Sequence, residues 1–460
     1  MTEPCTAREL ANRHAAIITT LAVLALTFVG TTLSSLRPFW TDEVLQLAGT
    51  YNLTGLALLR FVRIMPGQAP LTYVMQHWTL EWLGLSLVSA RLPSVLCAVA
   101  AIFVMRALSR RLVPGSTLAV LGIWLALPLI TRYGTEARPY AEAVLCSALA
   151  TLFFWKLNVS PSLTKCVLYG LCMLAGLYSI PFTFFVGLGH LAYLLFMHKP
   201  YRRLVLSLVP LLCAAALFAP WALWAQGAWE RAVDINHLAF QLSPRFPLML
   251  IQELSGGGYA CSLPLIGLAV AGCRSLSSEI KTFLLAGILV PIAGAIAADS
   301  VFHYYFAIRQ VIIVLIPITL LAGEGVMVLC RSKSTYRLIL AAVLSTVFVV
   351  SCIVKDVRYF SNRSEDWTAG AQALSSATAR GYCLALPEGT NMSLYALFSP
   401  ELRSRICGDW PRAPKILYPV SILTPPQDSV LMTKRIVENG FHEEERTAAG
   451  GTTLLFFVKN

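Results

Sequence analysis

The chain has 460 residues, enough for about three soluble domains, but 57% of them are hydrophobic and only 13% charged, against roughly 25% charged in a typical soluble protein. That is a membrane composition, and it excludes collagen, coiled coil and disorder. Lys and Arg exceed Asp and Glu by 12, yet the basic residues recur in short clusters between apolar runs, a pattern that orients helices in a bilayer and does not indicate nucleic-acid binding.

The first apolar run, Ala15 to Leu36, has the length that crosses a bilayer, ~20 residues. A cleaved signal peptide would need small residues at its end, and Leu36-Arg-Pro-Phe-Trp40 supplies none. Further runs over 84–105, 113–131, 141–157, 166–179, 182–197, 204–224, 247–273, 282–298, 310–330 and 338–354 bring the expectation to eleven spans. Most of the 12 Cys lie in these runs as small hydrophobes, and no C-x-x-C pair suggests zinc.

With the N-terminus cytoplasmic, every loop on that side is basic: Arg106/Arg110/Arg111, Lys156/Lys165, Lys199/Arg202/Arg203, Arg274/Lys281 and Arg331/Lys333/Arg337. The opposite loops carry Asp42, Glu43, Glu81, Glu136, Glu230, Asp234, Glu253 and Asp299. An odd number of spans then exports the C-terminus of a protein integral to the plasma (inner) membrane. The sequence thus predicts a polytopic α-helical membrane protein with a transmembrane domain over 1–354 and a small exported α/β domain over 355–460. In that tail, Trp367 to Arg380 and Met392 to Arg403 read as helices, Tyr382 to Leu386 as a strand, and Gly450-Gly451 as the turn of a hairpin ending in Leu454 to Val458. Cys383 and Cys407 can form a disulfide there if the tail is exported, though two thiols in one domain need not meet.

Three polar constellations stand out. Phe39-Trp-Thr-Asp-Glu43 places Asp42 and Glu43 just past the first span. They read either as solvated interfacial charges or as carboxylates able to deprotonate an acceptor hydroxyl or hold a metal, one facing a cavity and the other supporting the loop. Thr131 to Ala141 brings Arg132, Glu136, Arg138 and Tyr140 into a tight link between spans. Glu136 and Arg138 form a hairpin clamp in one reading; in the other, Arg138 meets a phosphate at headgroup depth. Finally, Asp299 to Arg309 gathers His303, Tyr304, Tyr305 and Arg309 at the start of an apolar helix, either as aromatic-belt residues or as headgroup or metal ligands, with Arg309 in need of an anionic partner.

The acidic pair after the first span, Pro70-Leu-Thr-Tyr73, Ser89-Ala-Arg-Leu-Pro-Ser94, the basic Arg106 to Arg111 loop and Glu136-Ala-Arg-Pro-Tyr140 resemble, in that order, glycosyltransferase family 39. This group includes the protein mannosyltransferase-like and aminoarabinose transferase-like enzymes of the C-type glycosyltransferase fold. The likeness covers about residues 37–200 and continues more weakly at Arg309 to Pro317 and Glu365-Asp-Trp367. It implies an inverting transfer of a sugar from a polyprenyl-phosphate donor to a lipid, glycan or protein hydroxyl on the exported face. Asp42 would match the catalytic carboxylate, Glu43 its neighbour, and Arg138, Arg309 and Tyr140 the donor-phosphate contacts. The chain departs from the family pattern at Gln68 and across Tyr178-Ser-Ile-Pro-Phe182, where relatives carry His. Two potential metal or headgroup ligands are thus absent, which weakens the case for a cofactor, and a divalent metal, if one is used, is left His303 as its nearby ligand. The competing class is a transporter or flippase of lipid-linked sugars, which would call for internal repeats and midplane charges that the sequence lacks.

Overall fold

The computed structural model describes residues 3–65, 67–235, 246–302, 308–385, 392–408, 410–421, 423–424 and 426–460. The helices in chain order are α1 (Glu3–Leu36), α2 (Thr41–Thr50), α3 (Gly55–Ile64), α4 (Pro70–Leu83), α5 (Leu87–Leu112), α6 (Thr117–Ala126), α7 (Pro128–Gly134), α8 (Tyr140–Val159), α9 (Leu163–Ser179) and α10 (Phe184–Phe196). They continue with α11 (Tyr201–Ile235), α12 (Phe246–Glu253), α13 (Tyr259–Ser275), α14 (Ser278–Phe302), α15 (Leu315–Cys330) and α16 (Thr335–Ser361), then α17 (Trp367–Ala379), α18 (Met392–Tyr395) and α19 (Pro426–Glu438). Two compact units result: one holds residues 1–34 and 53–359, the other 35–52 and 360–460. The loop bearing the acidic pair therefore folds with the tail.

The first unit is a helical bundle. Among the described residues six helices are long and apolar enough to cross a membrane, and up to eight if each of two bent pairs counts as one span. One bent pair is α6 with α7, which meet at 65°. Pro128 brings this about, because it offers no N–H and holds Leu127 extended at φ −69°, ψ 116°. The run expected as one span over 247–273 is broken, since Gly256 and Gly258 take φ of 75° and 79°, which favours glycine, and separate α12 from α13. Pro70-Leu-Thr-Tyr73 opens a helix, α4, that the run count passed over. At the contact of α13 with α15, Gly272 faces the carbonyl of Leu321 and Gly325 that of Leu268 so closely that any Cβ would overlap them. Such small-residue contacts let helices approach where lipid supplies no hydrophobic drive.

The second unit carries a four-stranded sheet, β1 (Cys383–Leu384), β2 (Lys415–Val420), β3 (Phe441–Ala449) and β4 (Thr452–Lys459), ordered β1-β2-β4-β3. β1 runs parallel to β2, and the other pairs are antiparallel. Gly450 and Gly451, with φ of 57° and 80°, make the two-residue turn of the β3–β4 hairpin. Ile416, Tyr418, Ile436, Phe441, Leu455 and Phe457 form the core. Cys383 and Cys407 are joined in a disulfide, their Cα atoms 5.8 Å apart. The helix expected over Met392 to Arg403 is instead the single turn α18 followed by a 3-10 turn at Pro400–Arg405, because the residue before a proline avoids helical backbone and Ser399 sits at φ −143°, ψ 82°. The strand expected over Tyr382 to Leu386 spans Cys383–Leu384, with Leu386 outside the described residues.

Candidate functional site

Arg37-Pro-Phe-Trp40 leaves the first helix extended, and α2 starts at Thr41 with both acids in its first turn. Glu43 is fully buried, and its Oε2 accepts from the Trp40 backbone N–H at 3.4 Å, reaching back across the turn. Asp42 is partly exposed. The turn is held by Glu365, whose Oε2 accepts from the Thr41 backbone N–H at 2.9 Å and from its hydroxyl at 2.8 Å. Trp367 Nε1 donates to the same Thr41 Oγ1 at 3.3 Å, and Phe39 stacks on Phe398 with centroids 5.7 Å apart. A carboxylate at a helix N-terminus is favoured by the peptide dipoles, so Glu365 both caps α2 and fixes the backbone from which Asp42 projects. Behind Trp367, Tyr395 packs at 4.8 Å and shares a 2.6 Å hydrogen bond with Thr452. Burial pushes its phenol up to about 12, so this support keeps its charge state across the physiological range.

In the bundle, Glu136, Arg138 and Tyr140 are buried in the α7–α8 link, with Pro139 as the N-cap of α8. The Tyr133 and Tyr140 rings lie 4.3 Å apart, and the Arg138 guanidinium is 6.0 Å from the Tyr140 ring centre. Glu136 Oε1 accepts from the Tyr359 hydroxyl at the end of α16, and Arg132 lies over the Tyr359 ring at 4.6 Å. The 3-10 turn Ile308–Val314 packs on α8 and brings half-buried Arg309 toward the link. Arg309, Arg132 and Glu136 are all within electrostatic reach of the Tyr133 hydroxyl. Asp356 hydrogen-bonds the Thr131 side chain and faces Arg132. Three guanidiniums, two carboxylates and three tyrosines thus gather at one end of the bundle, a setting suited to a phosphate group.

The Ser89 to Ser94 segment braces the Arg138 link and the end of α1 within the first unit. Ser94 Oγ donates toward the Arg138 carbonyl and Glu142 Oε1, each at 3.3 Å. Buried Arg91 donates through Nη1 to the Ser34 carbonyl at the end of α1, where helix carbonyls favour a cation. Arg91, Tyr359 and Asp356 were not singled out from sequence. Only the segment containing Arg91 carried a signal, as the family-like Ser89-Ala-Arg-Leu-Pro-Ser94 stretch.

Of the sequence-predicted site residues, Glu136, Arg138, Tyr140 and Arg309 come together in the first unit, and Asp42 and Glu43 belong to the second. His303, Tyr304 and Tyr305 lie outside the described residues. Among the described residues no three His, Cys, Asp or Glu side chains cluster as metal ligands would.

No family model matches the chain, and no curated protein matches its sequence. Solved structures do match. ArnT from Cupriavidus metallidurans in the apo state superposes with a TM-score of 0.59 at 13% identity, over 97% of this chain and 98% of that one. The same protein bound to undecaprenyl phosphate gives 0.56 at 12%, over 96% and 98%. The apo oligosaccharyltransferase of Archaeoglobus fulgidus gives 0.48 at 13%, over 82% of this chain and 59% of that one. The chain has the C-type glycosyltransferase fold. ArnT shares that fold from end to end, tail included.

Proposed function

We propose that the protein is a membrane glycosyltransferase that moves a sugar from a polyprenyl-phosphate donor to an acceptor hydroxyl on the exported face. The observation that carries the reading is the Arg132, Arg138 and Arg309 cluster at one end of a bundle whose fold is that of a protein crystallised with undecaprenyl phosphate. Asp42 takes the acceptor hydroxyl proton as the oxygen attacks the anomeric carbon. The bond from that carbon to the phosphate oxygen breaks, and the polyprenyl phosphate leaves with the electron pair and inversion at the sugar. Arg138 and Arg309 hold the departing phosphate, Tyr140 flanks it, and Glu43 supports the loop.

In this reading the N-terminus is cytoplasmic, the tail is exported from the plasma (inner) membrane, and the boundary between transmembrane and soluble domains falls near residue 354. Counting each bent pair as one span and adding the three shorter apolar helices α9, α10 (with its 3-10 lead) and α13 reaches eleven. The acceptor is a lipid, glycan or protein hydroxyl. The test is release of free polyprenyl phosphate by purified protein given a lipid-linked sugar and a candidate acceptor. Acceptor-dependent release is expected; transbilayer movement of intact lipid-linked sugar without release would identify a flippase instead. Reporter fusions at Ser332 and Asn460 should lie on opposite sides of the membrane.

A further inference from the structure

At the other end of α8 from the Arg138 link, three cations meet where three helices end. Arg111 and Lys156 occupy the last turns of α5 and α8, and Lys165 the first turn of α9. α8 packs against both α5 and α9. The short connection Ser160–Ser162 draws the lysines together: Ser160 N–H donates to the Lys156 carbonyl at 3.0 Å, and Lys165 Nζ donates to the Ser160 carbonyl and hydroxyl. Arg111 and Lys165 are the charged neighbours felt by the Lys156 ammonium.

The partners of all three are neutral. Arg111 Nη1 donates to the Ala107 carbonyl at 3.1 Å, and Lys156 lies over the Phe153 ring at 5.1 Å. Among the described residues no carboxylate pairs with any of them. Helix orientation and C-terminal carbonyls account for Arg111 and Lys156. Lys165 belongs to the same basic loop but stands at a helix N-terminus, where the peptide dipoles repel a cation, and its ammonium reaches back to the Ser160 C-cap of α8, within electrostatic reach of Lys156. Like charges gathered this way call for an anion. Beside them Val159 and Leu163 are 68% and 79% exposed, an apolar surface next to the three cations.

We propose that Arg111, Lys156 and Lys165 form a binding site for the phosphate of an anionic phospholipid headgroup, with Val159 and Leu163 against its acyl chains. The site is separate from the transfer reaction and independent of which membrane face it occupies.

The purified full chain in neutral detergent can be titrated with dioleoylphosphatidylglycerol, dioleoylphosphatidylcholine or inorganic phosphate, and bound lipid counted by native mass spectrometry. Retention of phosphatidylglycerol over phosphatidylcholine is expected. Affinity should fall roughly fivefold for each cation removed in Lys156→Gln/Lys165→Gln. The control Lys333→Gln/Arg337→Gln makes the same charge change on exposed residues at the start of α16 and should bind as wild type. Equal loss in that control, or equal retention of phosphatidylcholine, would overturn the proposal. Displacement of the lipid by equimolar inorganic phosphate would make free phosphate the ligand and overturn it too. If the double variant does not fold, Arg111→Gln, at an exposed position, carries the same comparison.

Discussion

Glu365→Ala is the sharpest perturbation of the arrangement around Asp42. It deletes both acceptor contacts to Thr41, at 2.9 and 2.8 Å, and leaves the helix sequence of α2 untouched. Hydrogen bonds to a charged group contribute ~1.5–3 kcal/mol each. Glu365 is half-exposed, so the lower end applies and the pair is worth about 3 kcal/mol, close to a 100-fold change in the opening equilibrium of the α2 turn. The amides of Glu43 and Val44, which donate to the Trp40 carbonyl at 3.0 and 3.1 Å, report that opening. Hydrogen exchange followed by mass spectrometry should show their protection falling about 100-fold in Glu365→Ala and roughly fivefold in Glu365→Gln, which keeps one neutral acceptor. Protection in β4 should be unchanged. Turnover should fall with the loop protection, because Asp42 projects from this turn. Protection at Glu43 and Val44 within twofold of wild type in Glu365→Ala would refute the reasoning, as would equal loss in β4, which would mean that the tail itself had unfolded.

Asp42→Asn preserves shape but removes basicity, so turnover should drop at least ~100-fold with donor binding retained; near-normal turnover would return the general-base role to another group. Arg138→Lys and Arg309→Lys lose the guanidinium fork, and thermal-shift titration with polyprenyl phosphate should show reduced stabilisation in each. Undiminished stabilisation in both would remove them from the donor site. Cys383→Ser opens a link of 24 residues' separation and should cost the tail roughly 3 kcal/mol, read as a lower melting temperature matched by wild type under reductant. The Arg446 guanidinium, 2.8 Å from Glu443, holds the Glu443 carboxyl below its usual range. The pair's contribution is therefore present above the ordinary glutamate value and lost as pH falls through the lowered one. Because both groups are substantially exposed, Arg446→Ala should flatten acid denaturation only slightly, read as a small change in the slope of melting temperature against pH below the ordinary glutamate range.

Membrane spans were legible because a bilayer imposes one rule, a long apolar run, and α5, α8, α14 and α16 obey it. Where glycines interrupt such a run, as between α12 and α13, hydropathy averages over the break and cannot see it. β2 escaped notice because Pro419 argues against a strand interior. The sheet accommodates it because, among the described residues, β1 pairs only as far as Leu417 and Pro419 pairs with β4 alone. Arg138 and Arg309 drew attention as charges against an apolar background. The long-range partners around them did not: the joining of Glu136 to Tyr359 and of Thr41 to Glu365 depends on pairings across more than two hundred residues, and no local pattern encodes them. The likeness of Glu365-Asp-Trp367 to a family motif marked the segment without disclosing that it grips α2.

The separation of 324 residues between Thr41 and Glu365 also has a meaning in time. At a synthesis rate of about 5–20 residues per second, the segment bearing Asp42 emerges roughly 15–65 s before its clasp exists. Throughout that interval the α2 turn lacks its cap and the tryptophan that buttresses it, so this loop is completed only when the tail arrives. A nascent or truncated chain ending before residue 365 would insert its helices yet lack the clasp on α2, so under the proposed function it should release no polyprenyl phosphate from a lipid-linked sugar.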